Sequence, residues 1–411
     1  MRSNINVEIA LTHIFTRKRQ TLVAALGVTM GIAMYIFSNS LMKGFGKYSR
    51  TEIFKVTPHL RIYKDDEISK PLIKAKSPRQ VVIIHNPKIT TLSRTIINPY
   101  ALLVEVKKQD YISSAAPQVN VDVFYQNGKT QLKGVANGVN MVEADAMFNI
   151  QATMVAGSLN ALSNSLSSVV VGSRIANKLN LGLNDNLTIV SSAGVVKVMK
   201  IVGIFSTKNK ATDESKVYLH IAAAQQLVKA GPTYITDIYA NIKNPDEALA
   251  YSQLLQPITS YKVEDWKTTY ADILAGDLIR QIMSTSVSMA ILLVAAFGIY
   301  NILNMTISQK LDDIAILKAT GFAGRDIIRI FVLEALIMGI IGTALGLILG
   351  AICIQILSGV YVGGPADYFP IYFDPGVFIT STVFGLLITI GAGYLPARRA
   401  ARIDPVAIFR K

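Results

Sequence analysis

Charged side chains vanish from four long stretches of this chain and crowd into the segments between them. Residues 21–42, 281–309, 335–366 and 375–395 contain no Asp, Glu, Lys or Arg. About 20 apolar residues suffice for a helix to cross a bilayer. The pattern therefore predicts four membrane helices, at residues 21–42, 281–307, 328–354 and 375–396. The first run is longer than the roughly 7–15 residues of a signal-peptide core, and Ser40-Leu41-Met42-Lys43 is a poor cleavage site. It reads as an uncleaved first span. Ahead of it, Ile5, Ile9, Leu11, Ile14 and Phe15 recur near helical spacing. This predicts an amphipathic surface helix within residues 1–20, the alternative being a solvated basic N-terminus.

Residues 43–280 differ in kind, mixing strand and helix signals. Residues 81–85, 194–203 and 235–242 carry β-branched or alternating patterns. Residues 171–181, 220–230 and 246–255 have helical periodicity. Asn127-Gly128 marks a hairpin between 121–125 and 130–135. Residues 64–76 and 159–168 read as loops, and 262–280, with Trp266, as a helix running into the second span. The expected fold class is a membrane α-helical protein of four transmembrane helices. A large extracytoplasmic α+β domain, long enough for two lobes, is inserted between the first and second helix.

Orientation follows from Lys and Arg near the span ends. The N-terminal flank holds Arg2, Arg17, Lys18 and Arg19; the 308–327 loop and its continuation hold Lys310, Lys318, Arg325 and Arg329; the 397–411 tail holds Arg398, Arg399, Arg402, Arg410 and Lys411. The 355–374 loop holds neither Lys nor Arg. The first three segments are thus predicted to be cytoplasmic and residues 43–280 external. These inner segments carry thirteen basic against six acidic residues, half of the net charge of +14. The excess is explained by topology, and nucleic acid is not an expected partner. Hydrophobic residues make up 51% of the 411, and the mean hydropathy of +0.38 comes from the four runs. Cys353 is the single cysteine, so no internal disulfide can form and the thiol reads as a small apolar packing group.

Gly342, Gly346 and Gly350 recur every four residues in the third span, and Gly27 and Gly31 do so in the first. Small residues at this spacing let helix backbones approach closely in lipid. They are the expected helix-packing positions, within the chain or against a second copy or paralogue. The middles of the spans hold no ionisable residue, which argues against a proton- or ion-coupled path. No G-x-x-x-x-G-K-[ST] is present to cradle ATP phosphates. His13, His59, His85 and His220 are scattered, without H-E-x-x-H or C-x-x-C spacing. No catalytic residue, metal site or cofactor is expected in this chain.

Several stretches together resemble the permeases of the MacB, lipoprotein-releasing (LolC/LolE) and FtsX type, which work in ABC transporters. These are residues 9–22 with Gly27 to Gly31, Asp313-Ile314-Ala315-Ile316-Leu317-Lys318-Ala319-Thr320-Gly321, and Pro396-Ala397-Arg398-Arg399-Ala400-Ala401-Arg402-Ile403-Asp404-Pro405. In the external region, 169–183 and 202–219 are similar to the family's periplasmic core, and Trp266 with 293–303 leans toward the lipoprotein-releasing branch. Asp313 and Gln309 stand where the family often has Glu.

The resemblance implies a non-catalytic membrane subunit worked by a separate cytoplasmic ABC ATPase, which holds the ATP. It places the docking site on the 308–327 loop, at Gln309, Lys310, Asp312, Asp313, Ile314, Ile316, Leu317, Lys318 and Gly321. Arg17, Lys18, Arg19, Arg398, Arg399 and Arg402 become cytoplasmic anchors. Further implied partners are a second permease copy or paralogue, a periplasmic carrier or adaptor, and membrane lipid. The expected work is lipoprotein release or MacB-type export by mechanical transmission. The alternatives are an FtsX-like regulator of a cell-wall hydrolase and a membrane-anchored enzyme, for which no catalytic cluster is visible.

Overall fold

The computed structural model describes residues 2–16, 18–65, 94–363 and 366–404, apart from the side chains of residues 2–6 and 13. The predicted strand at 81–85 lies outside these residues. The chain divides into two compact units, one formed by Met1–Ser49 with Ala275–Lys411 and the other by Arg50–Leu274. Helices α1 (Arg2–Thr16) and α2 (Lys18–Phe54) come first. Helix α2 continues for twelve residues past the end of the uncharged run at Met42.

The second unit begins with strand β1 (Leu60–Tyr63) and helix α3 (Pro99–Lys107). Next come β2 (Ile112–Asn127), β3 (Thr130–Val139), α4 (Met141–Phe148), β4 (Met154–Gly157), β5 (Ser168–Gly172), α5 (Ser173–Leu179), β6 (Asn186–Ser191) and β7 (Val196–Phe205). It closes with α6 (Lys210–Ser215), β8 (Lys216–His220), α7 (Ile221–Leu227), β9 (Asp237–Ile242), α8 (Ala248–Leu255), β10 (Lys262–Asp265) and α9 (Trp266–Thr269). The strands run in the order β10-β1-β9-β2-β3-β8-β5-β7-β4, and β6 bridges β2 and β7. That bridge closes β2, β3, β8, β5, β7 and β6 into a ring. The predicted hairpin is present: Asn127 pairs with Thr130, and Gly128 takes φ 56° at the turn, a left-handed conformation that glycine adopts without penalty.

Strand β2 belongs both to the ring and to the run of strands β10-β1-β9 outside it. Its first half, to Gln118, pairs with β9, and its second half pairs with β3 and β6. The larger core holds Tyr125, Val169, Val171, Ile189, Met199, Leu219 and Trp266. A smaller one gathers Phe148, Leu159, Leu162, Phe205, Tyr218 and Tyr239. Residues 171–181, expected to be helical, instead split into the end of β5 and α5. Every residue of β5 is buried, so no alternation betrays the strand. Residues 262–280 likewise divide among β10, α9 and the start of the next helix.

The first unit resumes with α10 (Ala271–Gln309), α11 (Leu311–Ala319), α12 (Gly324–Ser358) and α13 (Pro375–Ala401), of which α10 begins before the unit boundary. Helices α2, α10, α12 and α13 are long and apolar enough to cross a membrane. The glycine triple of α12 lies flush on α2: a Cβ at Gly342 would stand 2.6 Å from Val28, at Gly346 2.7 Å from Ile32 and at Gly350 3.1 Å from Ile36. Thr29 Oγ1 donates to the Gly342 carbonyl at 3.1 Å, satisfying a polar group where lipid offers no partner. Gly31 meets Leu292 of α10, whereas Gly27 has open space around it. Gly339, Gly385 and Gly393, outside the two glycine series, also lie in close contacts, abutting Thr389, Ile32 and Ala335. Glu334, inside the predicted third span, is only 2% exposed. It immediately precedes the uncharged run, so the middle of that span stays free of charge.

Candidate coupling surface

Helix α11 is short and every end of it is fixed by local chemistry. Asp312 and Asp313 occupy its first turn and Lys318 its last, which suits the positive and negative ends of the helix dipole. At the C-terminus, Phe322 N–H donates to the Leu317 carbonyl at 3.0 Å and Gly321 N–H to the Lys318 carbonyl at 3.1 Å. This is a Schellman closure, and it requires the positive φ of 97° at Gly321. Two residues after Gly321, Ala323 caps the next helix: its N–H donates to Asp326 Oδ2 at 3.1 Å, in the first turn of α12. The chain thus makes a tight helix–turn–helix with little freedom in the turn.

One face of α11 is embedded. Ile314 is 2% exposed and packs in a cluster with Ile307, Ile327, Phe331, Ala397 and Ala400, with Leu317 and Phe322 at its margin. Lys318 is turned inward as well. Its Nζ donates to the Ala401 carbonyl at 3.1 Å and to the Ile403 carbonyl at 2.6 Å, capping the end of α13. Gly324 completes this contact, since a Cβ there would stand 3.2 Å from the Ala401 carbonyl oxygen. The opposite face, Asp312, Asp313, Ile316, Ala319, Thr320 and Gly321, is exposed together with Gln309, while Lys310 is half-buried. Ile316 is 51% exposed, an apolar side chain standing out of an acidic surface.

Of the predicted basic anchors, Lys18, Arg19, Arg398 and Arg402 are exposed, and Arg17 lies outside the described residues. Arg399 reaches across to α10, where its Nη1 donates to Tyr300 Oη at 2.8 Å. Tyr300 is not among the residues the sequence singles out as a site; it lies in a run that also holds Asn301, Asn304 and several Ser and Thr residues, so nothing local marks it.

In the second unit, titratable groups serve the fold. His59 Nδ1 accepts the Ile242 N–H at 3.0 Å, its ring lies 4.6 Å from Phe54, and burial pulls its pKa below the usual 6.5. His220 Nδ1 accepts Ala222 N–H at 3.2 Å as the cap of α7. Lys216 sits over the rings of Tyr218 and Phe148, and desolvation lowers its pKa to about 8. Asp237 is held by Arg61 Nε at 2.6 Å and by Asn120 Nδ2 at 2.8 Å. Among the described residues no three His, Cys, Asp or Glu side chains converge as a metal site would require; His85 lies outside them.

The chain matches the family described as MacB-like periplasmic core domain over residues 21–258 and the FtsX-like permease C-terminal family over residues 285–405. It therefore belongs to the FtsX-like permeases that carry a MacB-like periplasmic core domain. Among its relatives, the lipoprotein-releasing system transmembrane protein LolC of Neisseria meningitidis serogroup B is 23% identical over 98% of each chain. The macrolide export ATP-binding/permease protein MacB of Escherichia coli is 24% identical over 98% of this chain but only 60% of its own length. The periplasmic region of MacB from Actinobacillus actinomycetemcomitans aligns with 54% of this chain and 95% of that one at 14% identity, with a TM-score of 0.33. The chain is an ABC transporter permease of the LolC, MacB and FtsX type. It is a multi-pass inner-membrane protein whose large domain is outside the cytoplasm.

Proposed function

We propose that this chain is the non-catalytic permease subunit that couples ATP hydrolysis by a separate cytoplasmic ATPase to a change of shape in its external domain. In this reading residues 43–280 are inserted between the first and second membrane helices, and the task is lipoprotein release or MacB-type export. The carrying observation is the two-sided character of α11. One face is fixed into the bundle through Ile314, and the other offers Asp312, Asp313 and Ile316 to a partner. A push on such a surface moves the helices to which it is bonded instead of bending a loop. Two states of the bundle, each favoured by a different state of the ATPase, then supply the coupling. The ATPase brings its own nucleotide, and this chain binds no cofactor. A second permease copy or paralogue completes the pair, and a periplasmic carrier or adaptor meets the external domain.

The test is co-purification of the full chain with a cytoplasmic ABC ATPase from the same cell. Ile316→Asp should abolish association while leaving the melting temperature of the chain unchanged. Retained association would refute the docking role of α11. Capture of a lipoprotein carrier or adaptor by the full chain supports the transport reading, and capture of a cell-wall hydrolase supports the FtsX-like regulator instead.

A further inference from the structure

A cleft of about 500 Å³ opens between α10 and α13, walled by Leu293, Phe297, Ile388, Gly391 and Leu395 and ending at Tyr300 and Arg399. From Leu293 to Tyr300 it follows α10 for about 10 Å, at 1.5 Å per residue. Both helices run toward the basic, inner side of the chain, so the polar end of the cleft lies at the cytoplasmic membrane surface and its apolar length lies in the hydrocarbon.

The polar end is organised. Arg399 is exposed, and among the described residues no carboxylate pairs with it. Its hydrogen bond to Tyr300 and the ring beneath it, 5.8 Å from the guanidinium carbon, fix the guanidinium at the mouth of the cleft. One of its five N–H groups is used there, leaving others for a planar, two-point contact with a phosphate. A ligand matching both ends has an apolar tail beside a single anionic phosphodiester. A second helix laid in the cleft would fill the apolar part and leave the free N–H groups of the guanidinium without the anion whose geometry they match. Basic pockets between membrane helices on the cytoplasmic side suit anionic lipid headgroups.

We propose that this cleft holds one anionic phospholipid of the inner leaflet, with an acyl chain between α10 and α13 and its phosphate on Arg399. The proposal depends on the membrane orientation of the chain and not on the coupling role of α11.

Native mass spectrometry of the full, delipidated chain in detergent tests it, with phosphatidylglycerol, phosphatidylcholine and free glycerol phosphate as probes. The wild-type chain should retain phosphatidylglycerol roughly tenfold better than phosphatidylcholine, because the choline ammonium cancels the charge of the same phosphodiester and opposes the guanidinium. Arg399→Gln should erase that preference, and Arg398→Gln should leave it. Gly391→Leu fills the cleft from a position where an added Cβ meets nothing within 4 Å. It should weaken retention of both lipids with the melting temperature unchanged. Equal losses from Arg398→Gln and Arg399→Gln would mean bulk attraction of charge and overturn the proposal. So would full competition by glycerol phosphate, or a Gly391→Leu chain that binds lipid as the wild type does. Ile316→Asp should leave lipid retention intact, so a failure of the docking role and a failure of the lipid site remain distinguishable.

Discussion

Replacing Lys318 by Met removes the ammonium that caps α13 and keeps most of the stem that packs beneath it. Two hydrogen bonds are lost, at 3.1 and 2.6 Å, to the carbonyls of Ala401 and Ile403. A hydrogen bond to a charged group contributes about 1.5–3 kcal/mol when shielded, and the interaction with the helix terminus about 0.3–1 kcal/mol more. Lys318 is half-buried, so water recovers part of each bond, and the freed side chain regains rotamer entropy of up to about 2 kcal/mol. The expected net cost is about 1–2 kcal/mol, borne by the junction of α11 with α13 and not by either helix alone. Hydrogen exchange followed by mass spectrometry on the full chain should resolve it. Amides of residues 398–403 are expected to exchange about tenfold faster in Lys318→Met, since 1.4 kcal/mol is a factor of ten. Amides 326–331 at the start of α12 should be unchanged, and Lys318→Arg, which can still donate to both carbonyls, should restore most of the protection. If exchange at 398–403 stays within twofold of the wild type, the ammonium does not hold the two helices together and α11 is not tied to α13 in this way.

Gly346→Val puts a branched side chain where a Cβ alone would stand 2.7 Å from Ile32. It should destabilise the bundle by about 1–3 kcal/mol, whereas Gly27→Ala should be nearly silent; unfolding of the detergent-solubilised chain in a denaturant series separates the two. His59 provides a pH dependence. Its folded pKa lies below 6.5 because burial disfavours the charged ring, so below 6.5 the unfolded chain binds more protons than the folded one. Stability of the external domain is therefore full above pH 6.5 and falls as the pH drops from there through the folded value. The emission of Trp266, the single tryptophan, follows this on heating the full chain at pH 7.5 and 5.5. His59→Asn should flatten the difference, and an equal pH response in that variant would show that another group is responsible.

The spans and the short charged helix were legible because membrane hydrocarbon imposes a coarse rule on composition, and 21–42 or 281–309 obey it without reference to neighbours. The hairpin at Asn127-Gly128 was legible because its turn chemistry is local. What escaped depends on contacts distant in sequence. The ring of strands is closed by β6 against β2, a pairing that no periodicity announces. Along α11, the motif names the residues but not their faces: Ile314 and Lys318 point into the bundle and Ile316 points out. Gly27 and Gly31 look alike in sequence, but only Gly31 has a neighbouring helix at contact distance.

The double membership of β2 has a mechanical corollary. A single sixteen-residue strand serves as a shared beam, and within β2 the pairing passes from β9 to β3 with no residue between them left over as a linker. Limited proteolysis should yield no half-domain that survives alone, and a tug delivered at β1 or β10 reaches the ring of strands through β9 and β2.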